Sequence, residues 1–440
     1  MSGKYLTLAN KSQILIKRAI YQTLEDHLSS KAITVIIGPR QVGKTTLAKK
    51  LQAFLKDQGR PTLFFNLDIE DDQRYFTSQE VLLQKIRLEA GSEHVTVFID
   101  ELQRKKNAGL FLKGLFDQAL PIKFVVTGSG SLELRANVSE SLAGRKRVFE
   151  IHPVSFIEYF HYRTNYRYEQ KEKAYFELEG TGAGFGLLQE YLSFGGYPNV
   201  ILAETIEEKK LTIAELFTAY LDKDIRGLLN IQHDAAFVLL FRLIADRAGK
   251  PVNFSGLANE VNLSVATLVK YLHYAEETYI VKRLNPFFNN IGKELTKSPQ
   301  YYFNDIGLRN YSAAQFDLLH SHHPAYGFIF QHYVFQQLEL LCKKEGWILN
   351  FWRSRDHAEV DFVINRINDI VPIEVKFKSL KSPQLTASIH SFINKYQPAK
   401  VIVINLSLHQ TLIVEGTELV FLPWWYLLLP DWNVGNVLHV

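Results

Sequence analysis

The stretch Gly38-Pro39-Arg40-Gln41-Val42-Gly43-Lys44-Thr45-Thr46 constrains this chain more than any other. It reads G-x-x-x-x-G-K-T, follows the apolar run Ile33–Ile37, and precedes Leu47, Leu51 and Leu55 at helical spacing. Strand, glycine-rich loop and helix in that order form the setting in which such a loop wraps phosphate. Gly38 and Gly43 let the backbone turn tightly, so that successive N–H groups face phosphate oxygens. The start of the helix adds its positive dipole end. Lys44 then reaches the β- and γ-phosphates, and the Thr45 hydroxyl ligates Mg²⁺. The expected ligand of residues 38–46 is therefore ATP with Mg²⁺. The competing reading, an ordinary Gly-containing turn, fits these flanks less well.

A chain of 440 residues has room for roughly two to four domains. With 47% hydrophobic and 22% charged residues it builds ordinary cores and is not disordered. The single cysteine, Cys342, excludes an internal disulfide and a multi-Cys zinc site, which fits a cytoplasmic setting. MSGKYLTLAN lacks the apolar core of a signal peptide, and no apolar run reaches the roughly 18 residues of a membrane span. No membrane partner is expected. A net charge of +4 permits a nucleic-acid partner without demanding one.

Residues 11–29 carry Ile16, Ile20, Leu24 and Leu28 at helical spacing. Apolar runs recur at Leu63–Leu67, Val95–Ile99, Phe124–Val126 and Val148–Ile151, and the first four runs of the chain are separated by helix-length stretches. That is a βαβ pattern and implies a parallel sheet. The run Val95–Ile99 ends in Asp100-Glu101, about fifty residues after the loop. An acid there helps hold Mg²⁺ and a second polarises the attacking water, so Asp100 takes the first role and Glu101 the second. Another strand ends Val126-Thr127-Gly128-Ser129-Gly130-Ser131. Ser129 at its tip either touches the γ-phosphate or belongs to a Gly/Ser turn. Arg145, in Ser141-Leu142-Ala143-Gly144-Arg145, either stabilises transition-state charge or joins Lys146 and Arg147 in a solvated basic patch.

With GPRQVGKTT, VFIDE, TGSGS, SLAGR followed by HPVSFIEYF, and YLSFGGYP in view, residues 30–200 resemble AAA-type ATPases. More narrowly, the chain looks like a prokaryotic group in which such a domain is fused to a C-terminal domain of poorly known function. The resemblance implies that the strand bearing Thr127 lies between the loop strand and the Asp100 strand. Beyond, residues 153–230 read as a helical lid or connector, and Tyr191–Pro198 as a turn.

Residues 231–300 change character. A short helix capped by Ser255, a turn at Asn262-Leu263-Ser264, and a helix from Val265 to Tyr274 have helix-turn-helix spacing. Val281–Phe288, a turn at Gly292 and Tyr301–Phe303 supply a two-stranded wing. Thr267, Lys270 and Tyr271 would face outward, with Lys282, Arg283, Lys293 and Lys297 around them. Such a winged helix either binds duplex DNA or serves as a spacer packed on the ATPase. Residues 301–325 read as a connector, with a local turn at Asp305–Leu308.

The last unit, 326–440, centres on Ala358–Asn365 and Ile370–Phe377. Folded as a hairpin about Ile367–Asn368, these runs set Asp361 opposite Glu374 and Glu359 opposite Lys376, with the charges on one face and apolar residues on the other. Opposed Cβ atoms lie roughly 5 Å apart, close enough for two carboxylates to share a metal. Asp, a short loop and Glu-x-Lys resemble the restriction-endonuclease-like PD-(D/E)xK core. The resemblance makes Asp361 and Glu374 metal ligands and Lys376 the residue that helps activate water. One departure stands out: where relatives carry Glu on the preceding helix, this sequence has Gln331 and Gln337, with Glu339 nearby. The alternative is a half-exposed hairpin with a charged solvent face.

The expected chain is thus α/β: a P-loop ATPase core with a parallel sheet (1–152), a lid (153–230), a winged helix (231–300), a connector (301–325) and an α/β nuclease-like domain (326–440). ATP, Mg²⁺ and DNA are its expected ligands, and an oligomer is compatible with it.

Overall fold

A computed structural model describes residues 16–129, 141–221, 234–288, 297–318, 323–366, 369–430 and 432. Strands β1 (Ile33–Gly38), β2 (Thr62–Asn66), β3 (Val95–Asp100), β4 (Ile122–Ser129) and β5 (Lys146–Glu150) form one sheet in the order β2-β3-β4-β1-β5. Every pairing in it is parallel. β4, which bears Thr127, lies between β1 and β3, as the resemblance implied. Every residue of β1 and β3 is buried, which is why both read as unbroken apolar runs. The helix Lys44–Asp57 buries Leu47, Ala48, Leu51 and Leu55, its one apolar stripe.

Helices Phe156–Arg163, Glu172–Glu179, Ala183–Phe194, Pro198–Leu202 and Ile206–Ala219 follow. The turn expected at Tyr191–Pro198 is the end of one helix, a Gly195-Gly196 corner and the start of the next. Gly195 has φ +77°, and a Cβ there would stand 2.4 Å from Asp305 Oδ1. The local turn expected at Asp305–Leu308 is in fact a helix start: Asp305 caps the helix Ile306–Ser312 and also accepts from Gly196 N–H at 2.7 Å. Glycine is needed at 195 because the Asp305 carboxylate presses against its backbone, and at 196 because a Cβ would stand 2.2 Å from Val154 O.

Helices Phe254–Glu260 and Val265–Glu277 flank the turn at Asn262. The cap of the first is Asn253, whose side chain accepts from Gly256 N–H, and Ser255 already lies inside the helix. Strands β6 (Val281–Leu284) and β7 (Gln300–Phe303) pair antiparallel where a wing is expected, and the expected Gly292 turn falls outside the described residues. Past β6 the chain joins the last unit: Phe287 N–H donates to Phe351 O at 2.6 Å.

That unit is a six-stranded mixed sheet of β8 (Ile348–Arg353), β9 (Glu359–Asn365), β10 (Ile370–Val375), β11 (Lys400–Asn405), β12 (Gln410–Val414) and β13 (Thr417–Pro423), in the order β12-β13-β11-β10-β9-β8. The helix Tyr326–Glu345 packs Ile329, Phe330, Tyr333 and Val334 against Phe362, Ile364, Val371 and Ile373. The helix Ala387–Tyr396 packs Ile389, Phe392 and Ile393 against Val360, Val363, Val401 and Val403. The hairpin expected to have one charged and one apolar face is therefore covered on both sides. A bulge where β9 meets β8, between Asn350 and Trp352, sends Val360 to the second cluster instead of the first.

Candidate functional site

The carboxyl ends of β1, β3 and β4 meet at one point. Gly38 has φ +151°, and a Cβ on it would stand 2.2 Å from Ile151 O; Gly43 has φ +95° and opens the helix Lys44–Asp57. No other residue type passes through both positions without displacing the loop. Lys44 is buried, and its ammonium donates to the loop carbonyls of Gly38 at 3.0 Å and Pro39 at 2.6 Å. Thr45 Oγ1 donates to Asp100 Oδ2 at 2.8 Å, and Thr127 Oγ1 donates to Asp100 Oδ1. Thr45 and Asp100 thus offer a hydroxyl and a carboxylate side by side, a hard-oxygen pair that suits Mg²⁺.

Glu101 holds a left-handed conformation, φ 57°, that lifts it off the strand end. Its carboxylate accepts from Gln103 Nε2. At the tip of β4, opposite Gly38, the Ser129 hydroxyl is buried and has no hydrogen-bond partner among the described residues. A buried orphan hydroxyl is costly, and a ligand oxygen would relieve it.

Gly43, Lys44, Thr45 and Glu101 line a cavity of about 420 Å³, together with Arg40, Gln41, Val42, Thr46 and Lys50. Ile16, Val154, Pro198, Asn199, Leu202 and Ala219, from outside the loop, line it as well. Arg18, absent from the sequence-derived set, also lines it. It donates to Val42 O at 2.9 Å and His152 O at 2.6 Å, and it pairs with Glu158 at 3.3 Å. Glu158 in turn closes the capping box of its own helix.

Arg145 does not belong to this group. Its O accepts from Ile33 N–H, at the opposite end of β1 from Gly38, roughly 16 Å away at about 3.3 Å per residue. Its guanidinium is held by Asp117 at 2.6 and 3.2 Å. It therefore cannot reach the loop of its own chain.

In the helix-turn-helix, Lys270 is exposed, Thr267 is half-buried, and Tyr271 is buried against Phe237 rather than facing outward. The apolar set Leu268, Tyr271, Leu272 and Ala275 is the inner stripe of that helix. Lys282 forms an ion pair with Glu339, and Arg283 donates to Asn285. Lys297 is exposed; Lys293 lies outside the described residues.

In the C-terminal sheet, β10 pairs with β9 as Ile370↔Asn365 through Ile373↔Phe362, and continuing that register sets Glu374 against Asp361. Asp361 Oδ1 accepts from Gln331 Nε2 at 3.0 Å and Oδ2 from Val375 N–H at 2.7 Å. Lys376 Nζ donates to Glu374 Oε1 at 2.5 Å. Burial, then the charge of Glu374, raises the pKa of Asp361, and burial raises that of Glu374 as well. Glu359 accepts from Gln300 Nε2 at 3.1 Å. Among the described residues no group of three or more His, Cys, Asp or Glu side chains stands ready to hold a metal. Gln331, an amide, is the side chain that the preceding helix places against Asp361.

Residues 30–160 match the family model described as an AAA domain, while 186–318 and 326–425 each match a domain of unknown function. An uncharacterized protein of Mycobacterium tuberculosis is 25% identical over 400 residues, covering 90% of this chain and 81% of its own. One from Methanocaldococcus jannaschii is 24% identical over 434 residues, covering 93% and 87%. Among solved structures, the Aeropyrum pernix ORC2 protein in its ADP form aligns at a TM-score of 0.34 and 13% identity, over 76% of this chain and 97% of that one. Among the described residues no helix is long and apolar enough to cross a membrane. Residues 30–160 are thus an AAA-type P-loop domain, set in a chain similar along most of its length to bacterial and archaeal proteins.

Proposed function

We propose that this chain binds ATP with Mg²⁺, hydrolyses it, and works on or under the control of DNA. The observation that carries the first part is that Lys44, Thr45 and Glu101 line one cavity, with Asp100 bonded to Thr45 and the buried Ser129 hydroxyl opposite Gly38 at the same carboxyl edge of the sheet. Mg²⁺ seated on Thr45 and Asp100 would neutralise charge on the β- and γ-phosphates. Lys44 exchanges two loop carbonyls for phosphate oxygens. Glu101 orients the attacking water and takes its proton, and Ser129 donates to the γ-phosphate. The exchange of carbonyls for phosphates favours binding because the loop N–H groups and the ammonium act on the same anion.

We divide the chain accordingly into a nucleotide core (1–152), a lid (153–230), a winged helix (231–300), a connector (301–325) and a nuclease-like C-terminal domain (326–440). DNA contact would run through Lys270, Arg283 and Lys297, exposed cations around the helix-turn-helix. In the C-terminal domain Asp361, Glu374 and Lys376 keep the layout of a metal-dependent phosphodiesterase, and we assign them contact rather than cleavage because Gln331 replaces an acid.

A second reading is a nucleotide-switched interaction protein. The contacts of this segment with the C-terminal unit, Phe287 with Phe351 of its sheet and Lys282 with Glu339 of its helix, favour it, since a wing so occupied contributes less to a duplex. The deciding measurement is ATP turnover with and without single-stranded, duplex and branched DNA, together with the salt slope of duplex binding. Stimulation with a steep slope supports the DNA reading. Indifference to all three DNAs moves the assignment to the second.

A further inference from the structure

The lining of the nucleotide cavity combines two chemistries. The loop residues and Glu101 supply charged and polar groups, while Ile16, Val154, Pro198, Leu202 and Ala219, from outside the loop, are apolar. Outside the loop residues and Glu101, the polar side chains of the lining are Arg18, already committed to Glu158, Val42 and His152, Lys50, which lies over the Tyr21 ring at 4.3 Å, and Asn199. Asn199 is exposed, and its amide has no hydrogen-bond partner among the described residues.

The short helix that carries Asn199 is held rigidly. Tyr197, just before it, is buried and shares a hydrogen bond with the Tyr220 hydroxyl at 2.9 Å. The buried Lys209 ammonium donates to Val200 O at 2.8 Å, and Gly196 O accepts from Val154 N–H at 2.7 Å. An amide on so fixed a support is placed in advance, which lowers the entropy lost when a ligand meets it.

We propose that Asn199 reads the base of the nucleotide and selects adenine. The apolar walls would take the faces of a purine. At the edge, a side-chain amide offers one acceptor and one donor, matching the N6 amino group and N7 of adenine. Guanine presents O6 and N7 there, two acceptors, so the amide carbonyl is left facing an oxygen. This inference rests on the nucleotide reading above and adds the group that sets base preference.

The test is competition of ATP and GTP against a fluorescent ATP analogue on the full chain, with wild type, Asn199→Ala, Asn199→Arg and Lys44→Ala. Wild type is expected to prefer ATP by about tenfold to a hundredfold, the range of one bidentate pair. Asn199→Ala should lose most of that preference through weaker ATP binding, with GTP unchanged. Asn199→Arg should move the preference towards GTP, because a guanidinium matches O6 and N7. Thermal melting of both Asn199 variants should equal wild type, as expected for an exposed side chain. An unchanged ATP-to-GTP ratio in both variants overturns the inference while leaving nucleotide binding intact. If wild type and Lys44→Ala both fail to bind either nucleotide, the nucleotide reading itself falls.

Discussion

Thr45 Oγ1 donates to Asp100 Oδ2 across 2.8 Å, so the two side chains proposed to share a magnesium ion touch across fifty-five residues of sequence. The hydroxyl comes from the first turn of the helix Lys44–Asp57, and the carboxylate from the end of β3. With Lys44 lying on the carbonyls of Gly38 and Pro39, the loop is already folded around the place its ligand would take.

From this arrangement Lys44→Ala is expected to lose ATP binding, and Glu101→Gln to retain it. The glutamine keeps the shape of Glu101 and its contact with Gln103 but cannot accept a proton, so turnover should fall by about 10²- to 10⁴-fold. Steady-state phosphate release together with nucleotide binding reads both. Wild-type turnover in Glu101→Gln would remove Glu101 from the role of base.

Arg18→Ala should act through stability rather than chemistry. The Arg18–Glu158 pair is largely buried, each side chain 9% exposed. Removing the guanidinium strands the Glu158 carboxylate and the Val42 and His152 carbonyls, at a cost of about 3 kcal/mol. A lowered melting temperature and a weakened affinity for ATP are the expected results. Arg18→Lys should recover only part, because one ammonium cannot serve three acceptors in a fixed fork.

How much of this was open to reading from the chain alone depended on distance along it. The P-loop and Asp100-Glu101 announce themselves because each is a contiguous string whose residue types carry the chemistry. The C-terminal register was equally legible, since a hairpin pairs residues at a constant sum of positions and the loop is short. Arg18 was not, because its partners lie 24, 134 and 140 residues away. Asp305 escaped for the same reason: Gly196 is 109 residues from it. Tyr271 was misread differently. It shares an i, i+3, i+4, i+7 stripe with Leu268, Leu272 and Ala275, and that inward period outweighs the outward position a recognition helix would give it.

Tyr271 and Lys270 are adjacent and should behave oppositely. Tyr271→Ala removes a buried ring packed on Phe237 and is expected to cost about 3–5 kcal/mol, seen as a large fall in melting temperature. Lys270→Ala should leave melting unchanged and, if the helix meets duplex DNA, lower the salt slope of binding by about one. A stable Tyr271→Ala protein would contradict the buried placement.

Asp305 gives a pH dependence with a definite sign. It is fully buried, and burial raises its pKa to about 6 despite the N–H groups of Gly196, Leu308 and Gly307 that favour the charged form. The unfolded carboxyl, near 3.8, ionises first, so between about pH 4 and 6 the folded state binds more protons than the unfolded one. Stability from this group is therefore greatest below the lower value and falls as pH rises through the window, levelling off above about 6. Asp305→Asn should flatten that part of the profile. Melting curves from pH 4 to 7 for both proteins give the difference, and a wild-type profile that instead rises more steeply than the variant's would refute the assignment.

The C-terminal hairpin allows the sharpest outcome, because its residues point two ways. Asp361 against Glu374, with Lys376 beside them, is the set a metal-dependent phosphodiesterase uses: two acids for the ion and a cation for developing charge. Yet both Asp361 oxygens already accept hydrogen bonds, from Gln331 and Val375, and Lys376 is turned onto Glu374. Burial raises the pKa of both acids, and at Asp361 the charge of Glu374 adds to it. The purified protein should therefore leave supercoiled DNA intact in Mg²⁺ or Mn²⁺, and Asp361→Ala should change neither DNA integrity nor ATP turnover. Gln331→Glu replaces the amide donor, 3.0 Å from Asp361, with a third carboxylate. That variant should gain Mn²⁺ binding that wild type lacks, measured by calorimetry, and should lose it again when Asp361 is also replaced by Ala. Metal-dependent nicking by wild type that Asp361→Ala abolishes would show the opposite, that two carboxylates and a lysine suffice without the acid at position 331.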